Sequence, residues 1–204
     1  MLVTLGVEDI LSESVARSLV REYAPEAQIV NVIGLQGNQA LRRRIGDFVD
    51  IARYIGPSLV ITDLDRAGAC PVDLVRDWTN GLPAVPDFLM RVAVLEIEAW
   101  IIADRQAIAE WLGISVGVVP RNPEEALDPK RELIELARRS RKRDLRDALI
   151  RGLPDGLFRP GPGYNSYLER FVSQNWEPER ARLITPSLDR TISRITELSR
   201  IHDR

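Results

Sequence analysis

The 204-residue chain carries 45% hydrophobic and 28% charged residues with a formal charge of −2, the balance of an ordinary globular protein. A single cysteine, Cys70, and a single histidine, His202, exclude an internal disulfide and argue against cysteine zinc clusters, multi-histidine metal sites and His-dependent triads. The catalytic repertoire left is carboxylates, Arg, Lys, Ser and Tyr, and a metal would be held by oxygen, which favours Mg²⁺ or Mn²⁺ over zinc.

No run approaches the roughly 18 unbroken apolar residues of a membrane span. The opening "MLVTLGVEDI" enters a strand-like run without a basic n-region or cleavage site. A cytoplasmic chain without membrane association is therefore expected. The 28 basic residues are arginine except for Lys130 and Lys142. A GC-rich genome explains that bias, and it would also suit phosphate contacts.

In chain order, "LVTLGV" (2–7) reads as a strand, followed by a helix in which Leu11, Val15 and Leu19 repeat at helical spacing. A second strand is predicted over 27–34, then a polar loop "LQGNQ", then a helix over 40–55 with Leu41, Ile45, Phe48, Ile51, Ala52 and Ile55 on one face. "SLVITD" (58–63) is the third strand, and Pro71 starts a short helix. Cys70, beside it, reads as a small buried or half-buried thiol. A fourth strand over 89–96 leads into a helix ended by Gly113. Alternation of strand and helix up to residue 113 argues for a mostly parallel four-stranded sheet flanked by helices. Residues 114–204 are expected to form a helical region packed on that core. It holds a polar helical stretch, a turn-rich connector "LPDGLFRPGPGYN", and an amphipathic tail whose Leu188, Ile192, Ile195 and Ile201 share a face behind Thr185 and Pro186.

The chemistry gathers at the predicted strand ends. Ligands of open parallel sheets bind at the carboxyl ends of the strands. Glu8 follows the first strand, Asp63 and Asp65 close the third, and Glu96 and Glu98 follow the fourth. If extended geometry continued through "DLD", Asp63 and Asp65 would point the same way. Each acid alone has an ordinary explanation as a cap or an exposed residue. Together they repel unless a cation sits among them, and Mg²⁺ is bound through one or two carboxylates plus waters and phosphates. Glu13, in the first turn of the first helix, fits either this cluster or the helix dipole. Asp104, in the middle of a predicted helix, reads as peripheral.

A glutamate after the first strand, a D-x-D after a later one and the α/β order resemble a TOPRIM domain, the metal-binding unit of primases, type II topoisomerases and OLD-type nucleases. The chain more specifically resembles a family of small, largely uncharacterised TOPRIM-like bacterial proteins grouped with those nucleases. The blocks are "VEDILSE" (7–13), "ITDLD" (61–65), "VLEIEAWIIAD" (94–104), "DPKREL" (128–133) and "TPSLDRTISRITEL" (185–198), spread along nearly the whole chain. The resemblance implies a TOPRIM or Rossmann-like fold with a helical C-terminal extension. It implies Glu8 as general acid/base, Asp63 and Asp65 as Mg²⁺ ligands, and Glu13, Glu96 and Glu98 as the acids available to a second metal. It also implies a nuclease or related phosphotransfer enzyme, working alone or with a partner protein in defence or mobile-element biology. Asp9 stands where the family has a small residue, and a glycine there would allow positive φ more cheaply.

The stretch "RRSRKRDLR" (138–146) sets six basic residues against Asp144, on a helix expected to continue from "DPK". It is either a solvated helix face or a nucleic-acid patch formed by Arg138, Arg139, Arg141, Lys142 and Arg143. Lys130 is the candidate for a substrate phosphate and is counted with Glu8 as catalytic. Asp128 before Pro129 reads as an N-cap. Trp100 is expected to be buried support for the turn behind the acids. Tyr164 and Tyr167 fit stacking or packing equally. "DLDRAG" also matches the D-x-D of a HAD-like phosphatase, but Ala67 stands where that fold wants Thr or Val, and a nucleotide-sugar transferase would be small at this length. The non-enzyme alternative is a regulatory or structural TOPRIM-like module.

Overall fold

The computed structural model describes residues 1–65, 68–154 and 156–203. Ala67, weighed above against a phosphatase motif, lies outside them. The chain is α/β and forms two compact units, Met1–Val94 with Asp189–Arg204, and Leu95–Leu188.

The first unit is built on four parallel strands, β1 (Leu2–Val7), β2 (Gln28–Gly34), β3 (Ser58–Asp63) and β4 (Phe88–Ala93), in the order β2-β1-β3-β4. β1 and β3 lie in the middle, and nearly every residue of both is buried, which is why each reads as a mostly apolar run rather than an alternating one. Between them come α1 (Ile10–Tyr23), α2 (Asn38–Arg43), α3 (Ile45–Tyr54) and α4 (Pro71–Trp78). Leu41, Ile45, Phe48 and Trp78 from the last three helices pack with Ile33, Val60 and Met90 from the sheet.

The helix predicted over 40–55 is two helices. Arg44 leaves helical geometry at φ −104°, ψ 5°, and Gly46, whose helix propensity is about 1 kcal/mol worse than alanine's, stands in the first turn of the helix that follows. Cys70 is exposed at the start of α4, not buried or half-buried, because it stands outside the helix that its neighbour Pro71 begins.

The second unit holds α5 (Ile97–Ala103), α6 (Arg105–Leu112), α7 (Pro129–Arg138), α8 (Arg143–Leu149), an antiparallel hairpin of β5 (Ile150–Gly152) and β6 (Phe158–Pro160), α9 (Tyr164–Gln174), α10 (Pro178–Ala181) and the start of α11 (Pro186–His202). The helix predicted to run to Gly113 breaks at Asp104. This residue is fully buried and turns its carboxylate back to accept from the Ala107 N–H that opens α6. The expected continuous helix over 138–146 also breaks. Ser140 donates its hydroxyl to the Leu112 carbonyl at 2.6 Å, and the Lys142 ammonium donates to the carbonyls of Glu110 and Trp111. Ser140 and Lys142 thus serve C-terminal carbonyls of α6, which helix ends leave without an intrahelical i+4 partner. Trp100 is fully buried as expected, with its indole N–H on Ser187 Oγ at 2.7 Å. In α11 the apolar face runs through Leu188, Ile192, Ile195 and Leu198, while Ile201 is exposed. No helix among the described residues is long and apolar enough to cross a membrane.

Candidate functional site

In a sheet ordered β2-β1-β3-β4, the chain leaves β1 toward one edge and β3 toward the other, so the topological switch falls between these two central strands. Their carboxyl ends border the crevice where open α/β sheets bind ligands. Glu8 and Asp63 flank that crevice. Glu8 Oε1 accepts the Asp63 backbone N–H at 2.9 Å and the Thr62 hydroxyl, and the Asn38 amide donates to it at 3.3 Å. The same Asn38 nitrogen lies 3.3 Å from Asp65 Oδ2 and 3.4 Å from Thr62 Oγ1. One amide is therefore shared by two carboxylates and a hydroxyl. Glu8 Oε2 makes no hydrogen bond among the described residues.

The loop after β2 is what brings Asn38 there. Gly34 has φ +129°, and a Cβ on it would stand 2.0 Å from the Val7 carbonyl oxygen, so only glycine lets the chain fold this closely over the end of β1. The next turns donate the Leu35 N–H to Val7 O and the Gly37 N–H to Glu8 O. Asn38 then opens α2 directly beside Glu8. On the other side of Glu8, Asp9 is extended at φ −149° and caps α1 by accepting the Ser12 N–H at 2.8 Å. The turn needs no positive φ, so an aspartate fits it without strain.

β3 ends at Asp63, and Asp65 is left-handed at φ 54°, so the extended run does not continue through the D-x-D. Aspartate tolerates that region better than most residues. Leu35, Asp65 and Leu95 are the non-glycine positive-φ residues among those described. The first two flank the Asn38 loop and the acid pair, and the third immediately precedes Glu96. Backbone strain of this kind costs on the order of 1–3 kcal/mol and gathers at functional sites. A cleft of about 750 Å³ opens here, lined in part by Asn38, Arg42, Asp65, Cys70 and Asp73.

Burial pushes the Glu8 carboxyl above its ordinary value, Thr62 and the Asp63 N–H oppose that, and the Asp65 charge adds to the rise. Glu13 is half-buried and paired with Arg17 at 2.7 Å, outside the bonds that tie Glu8 to Asp65. The oxygen-only donors around Asn38 suit a hard cation. Among the described residues, no three acid, histidine or cysteine side chains stand close enough to cage a metal unaided. A hard cation there would be held by one or two carboxylates and would need waters and substrate oxygens to complete its shell.

Glu96, Glu98 and Lys130 come together in the second unit. Glu96 accepts the Lys130 backbone N–H at 2.9 Å, and the Lys130 ammonium stands 3.8 Å from Glu96 and 3.5 Å from Glu98. Glu98 is 1% exposed; its Oε1 accepts the Tyr164 hydroxyl at 3.1 Å, and its Oε2 is sealed without a hydrogen bond among the described residues. Tyr164 is thus a buried partner of an acid, while Tyr167 is partly exposed. Asp128 caps α7 by accepting the Arg131 N–H at 2.7 Å, as predicted.

Burial raises the Glu98 carboxyl above its ordinary 4.5, Lys130 opposes the rise, and Glu96 adds to it. The folded chain keeps this proton to higher pH than the unfolded chain, so stability is lost as pH rises from about 4.5 through the folded value. Glu98→Gln should flatten that decline in urea unfolding midpoints measured with chelator present. A decline as steep as that of the wild type would assign it to another group.

The basic run is divided among several tasks. Arg138 pairs with Glu135 at 2.9 Å, Lys142 serves carbonyls of α6, and Arg143 stands 3.5 Å from Asp147, leaving Arg139 and Arg141 exposed. Sequence reasoning missed Asn38 and Thr62. The available signals were a hydroxyl immediately before Asp63 at the end of β3, and an amide in the loop that follows β2.

Fold and geometry define an α/β protein with an acidic, hydrogen-bonded crevice at its topological switch point. No family model matches the chain, and no curated protein matches it. Among solved structures, the chain is similar to the C-terminal region of the Burkholderia pseudomallei OLD protein, with 14% identity, a TM-score of 0.47, and coverage of 97% of this chain and 98% of that one. A likeness of that size bears on neither activity nor ligand.

Proposed function

We propose that the chain is a Mg²⁺- or Mn²⁺-dependent nuclease that hydrolyses phosphodiesters at the crevice between β1 and β3. The observation that supports this most directly is the placement of Glu8. Its Oε1 is fixed by Thr62, the Asp63 N–H and Asn38, while Asp65 shares the same Asn38 amide. A bound divalent cation, held by Asp63 and Asp65 with waters, would neutralise charge on the phosphodiester oxygens. Glu8 is then positioned to take or return a proton at Oε2, and its raised proton affinity brings it nearer the working range of a general acid/base. Asn38 and Thr62 orient the carboxylate. Nucleic acid is the proposed substrate, and the exposed arginines of the second unit would suit its backbone.

Thermal melts test the reading. Mn²⁺ or Mg²⁺ should raise the wild-type Tm by a few degrees and leave Asp63→Asn unmoved. Without metal, Asp63→Asn should melt at or above the wild-type temperature, because one of several neighbouring anions is gone. A variant that unfolds would mark Asp63 as structural, and a wild-type melt indifferent to both metals would overturn metal dependence.

The Asn38 amide bridges Glu8 Oε1 and Asp65 Oδ2. That observation favours a second reading, a regulatory or structural module whose acids no longer serve catalysis. It predicts the indifferent melt.

A further inference from the structure

The second unit contains a cleft of about 380 Å³ between α7 and the strand β6 with the residues just before it. Its size is within the range of small-ligand sites. Lys130, Arg131 and Arg138 line one wall, and Phe158 and Arg159 line the other. The acids that share the cleft are each engaged: Glu96 with Lys130, Asp128 with the Arg131 N–H, and Glu135 with Arg138. Arg131 and Arg159 are both exposed and form no ion pair among the described residues. Two arginines outside any ion pair among the described residues therefore line this space, beside the Asp128 carboxylate that caps α7. Arg138 differs from them, because Glu135 holds it and its guanidinium carbon lies 5.4 Å over the Phe158 ring. That pair is a fixed cation–π surface rather than a freely solvated side chain.

We infer that this cleft binds a single-stranded segment of nucleic acid, with Arg131 and Arg159 on consecutive phosphates and a base packed against the Arg138–Phe158 pair. The inference rests on the proposed function only in taking nucleic acid as the substrate class. One arginine outside any ion pair on each wall suits two phosphates of a strand passing between them better than a single isolated phosphate. The aromatic and guanidinium surface supplies what single strands offer and duplexes hide, an unstacked base. At about 380 Å³ the cleft has the size of a small-ligand site. It also shifts the expected contacts: of the run 138–146, Arg138 lines this space, whereas Lys142 is occupied by α6 carbonyls.

The test is fluorescence anisotropy of a labelled single-stranded oligonucleotide and its duplex, with chelator present so that cleavage plays no part. Wild type should favour the single strand. Arg131→Ala/Arg159→Ala should weaken single-strand binding by about ten-fold and reduce the salt slope by about 1.4, at roughly 0.7 per lost phosphate contact. Phe158→Leu, which keeps an apolar residue in the hairpin, should weaken binding without changing the salt slope. The Tm and the metal-induced shift of the double variant should match wild type. Equal affinity in wild type and the double variant, no single-strand binding by wild type, or a preference for duplex would each overturn the assignment. Binding as expected but without cleavage when Mn²⁺ is supplied would instead sink the nuclease reading and leave the cleft standing. Cleavage with unchanged binding in the variants would do the reverse.

Discussion

Glu8→Gln is expected to lower Mn²⁺-dependent cleavage of plasmid and single-stranded substrates by about 10²–10⁴-fold, the range spanned by general acid/base groups. The glutamine side chain is nearly the same shape and still offers an oxygen to the Thr62 hydroxyl and the Asp63 N–H, so the crevice should keep its form. What it loses is the exchangeable proton. Metal-induced stabilisation and nucleic-acid binding should therefore persist while turnover collapses. The variant should also melt no lower than wild type, because burial and Asp65 both disfavour the Glu8 charge. Undiminished cleavage by Glu8→Gln would remove Glu8 from the chemistry, and joint loss of folding and activity would make it a structural residue that links β1 to β3.

Burial on both faces made the central strands legible. β1 and β3 occupy the predicted residues 2–7 and 58–63, since a buried parallel strand is mostly apolar along its length, with only small polar residues such as Thr4 and Ser58 interrupting it. Helix breaks left no such mark. Apolar spacing continues through Arg44 and Asp104 as if each helix were one, and one partner of Asp104, Arg180, lies 76 residues away. The β5–β6 hairpin was hidden, β5 at the end of the stretch that reads as helical and β6 in the connector that reads as turns, because strands of three residues are too short for a period to show.

The acids themselves were visible as Glu8, Asp63 and Asp65 at strand ends. The groups that orient them were not. Thr62 and Asn38 have ordinary local explanations, and their convergence depends on β1 lying beside β3, which is a matter of strand order and not of spacing along the chain. The basic run shows a similar division. Its charge could be read directly, but whether an ammonium faces solvent or the open end of another helix is decided by tertiary contacts, as Lys142 illustrates.

The largest stability effect is expected at Arg180. Asp104 is fully buried, and its two oxygens accept from Arg180 at 2.8 and 2.9 Å, from the Glu177 N–H at 2.8 Å and from the Ala107 N–H at 3.3 Å. One carboxylate thus joins the start of α6 to the start of α10. Arg180→Met keeps the aliphatic stem but leaves that carboxylate without its cation, and breaking a buried pair this way costs about 3–5 kcal/mol. The lower end applies, since the Arg180 side chain is 41% exposed and part of its charge is already screened by water. Asp104→Asn removes the charge while retaining an acceptor for one backbone N–H, so it should cost less. Combining the two should recover part of the loss, because the cation is no longer missed when the anion is gone. Urea unfolding of the two single variants and the double variant measures that coupling. A loss below about 1 kcal/mol in Arg180→Met, as for an exposed pair, would mean that the backbone N–H groups of Ala107 and Glu177 satisfy Asp104 on their own. The break between α5 and α6 would then owe its stability to capping rather than to charge pairing.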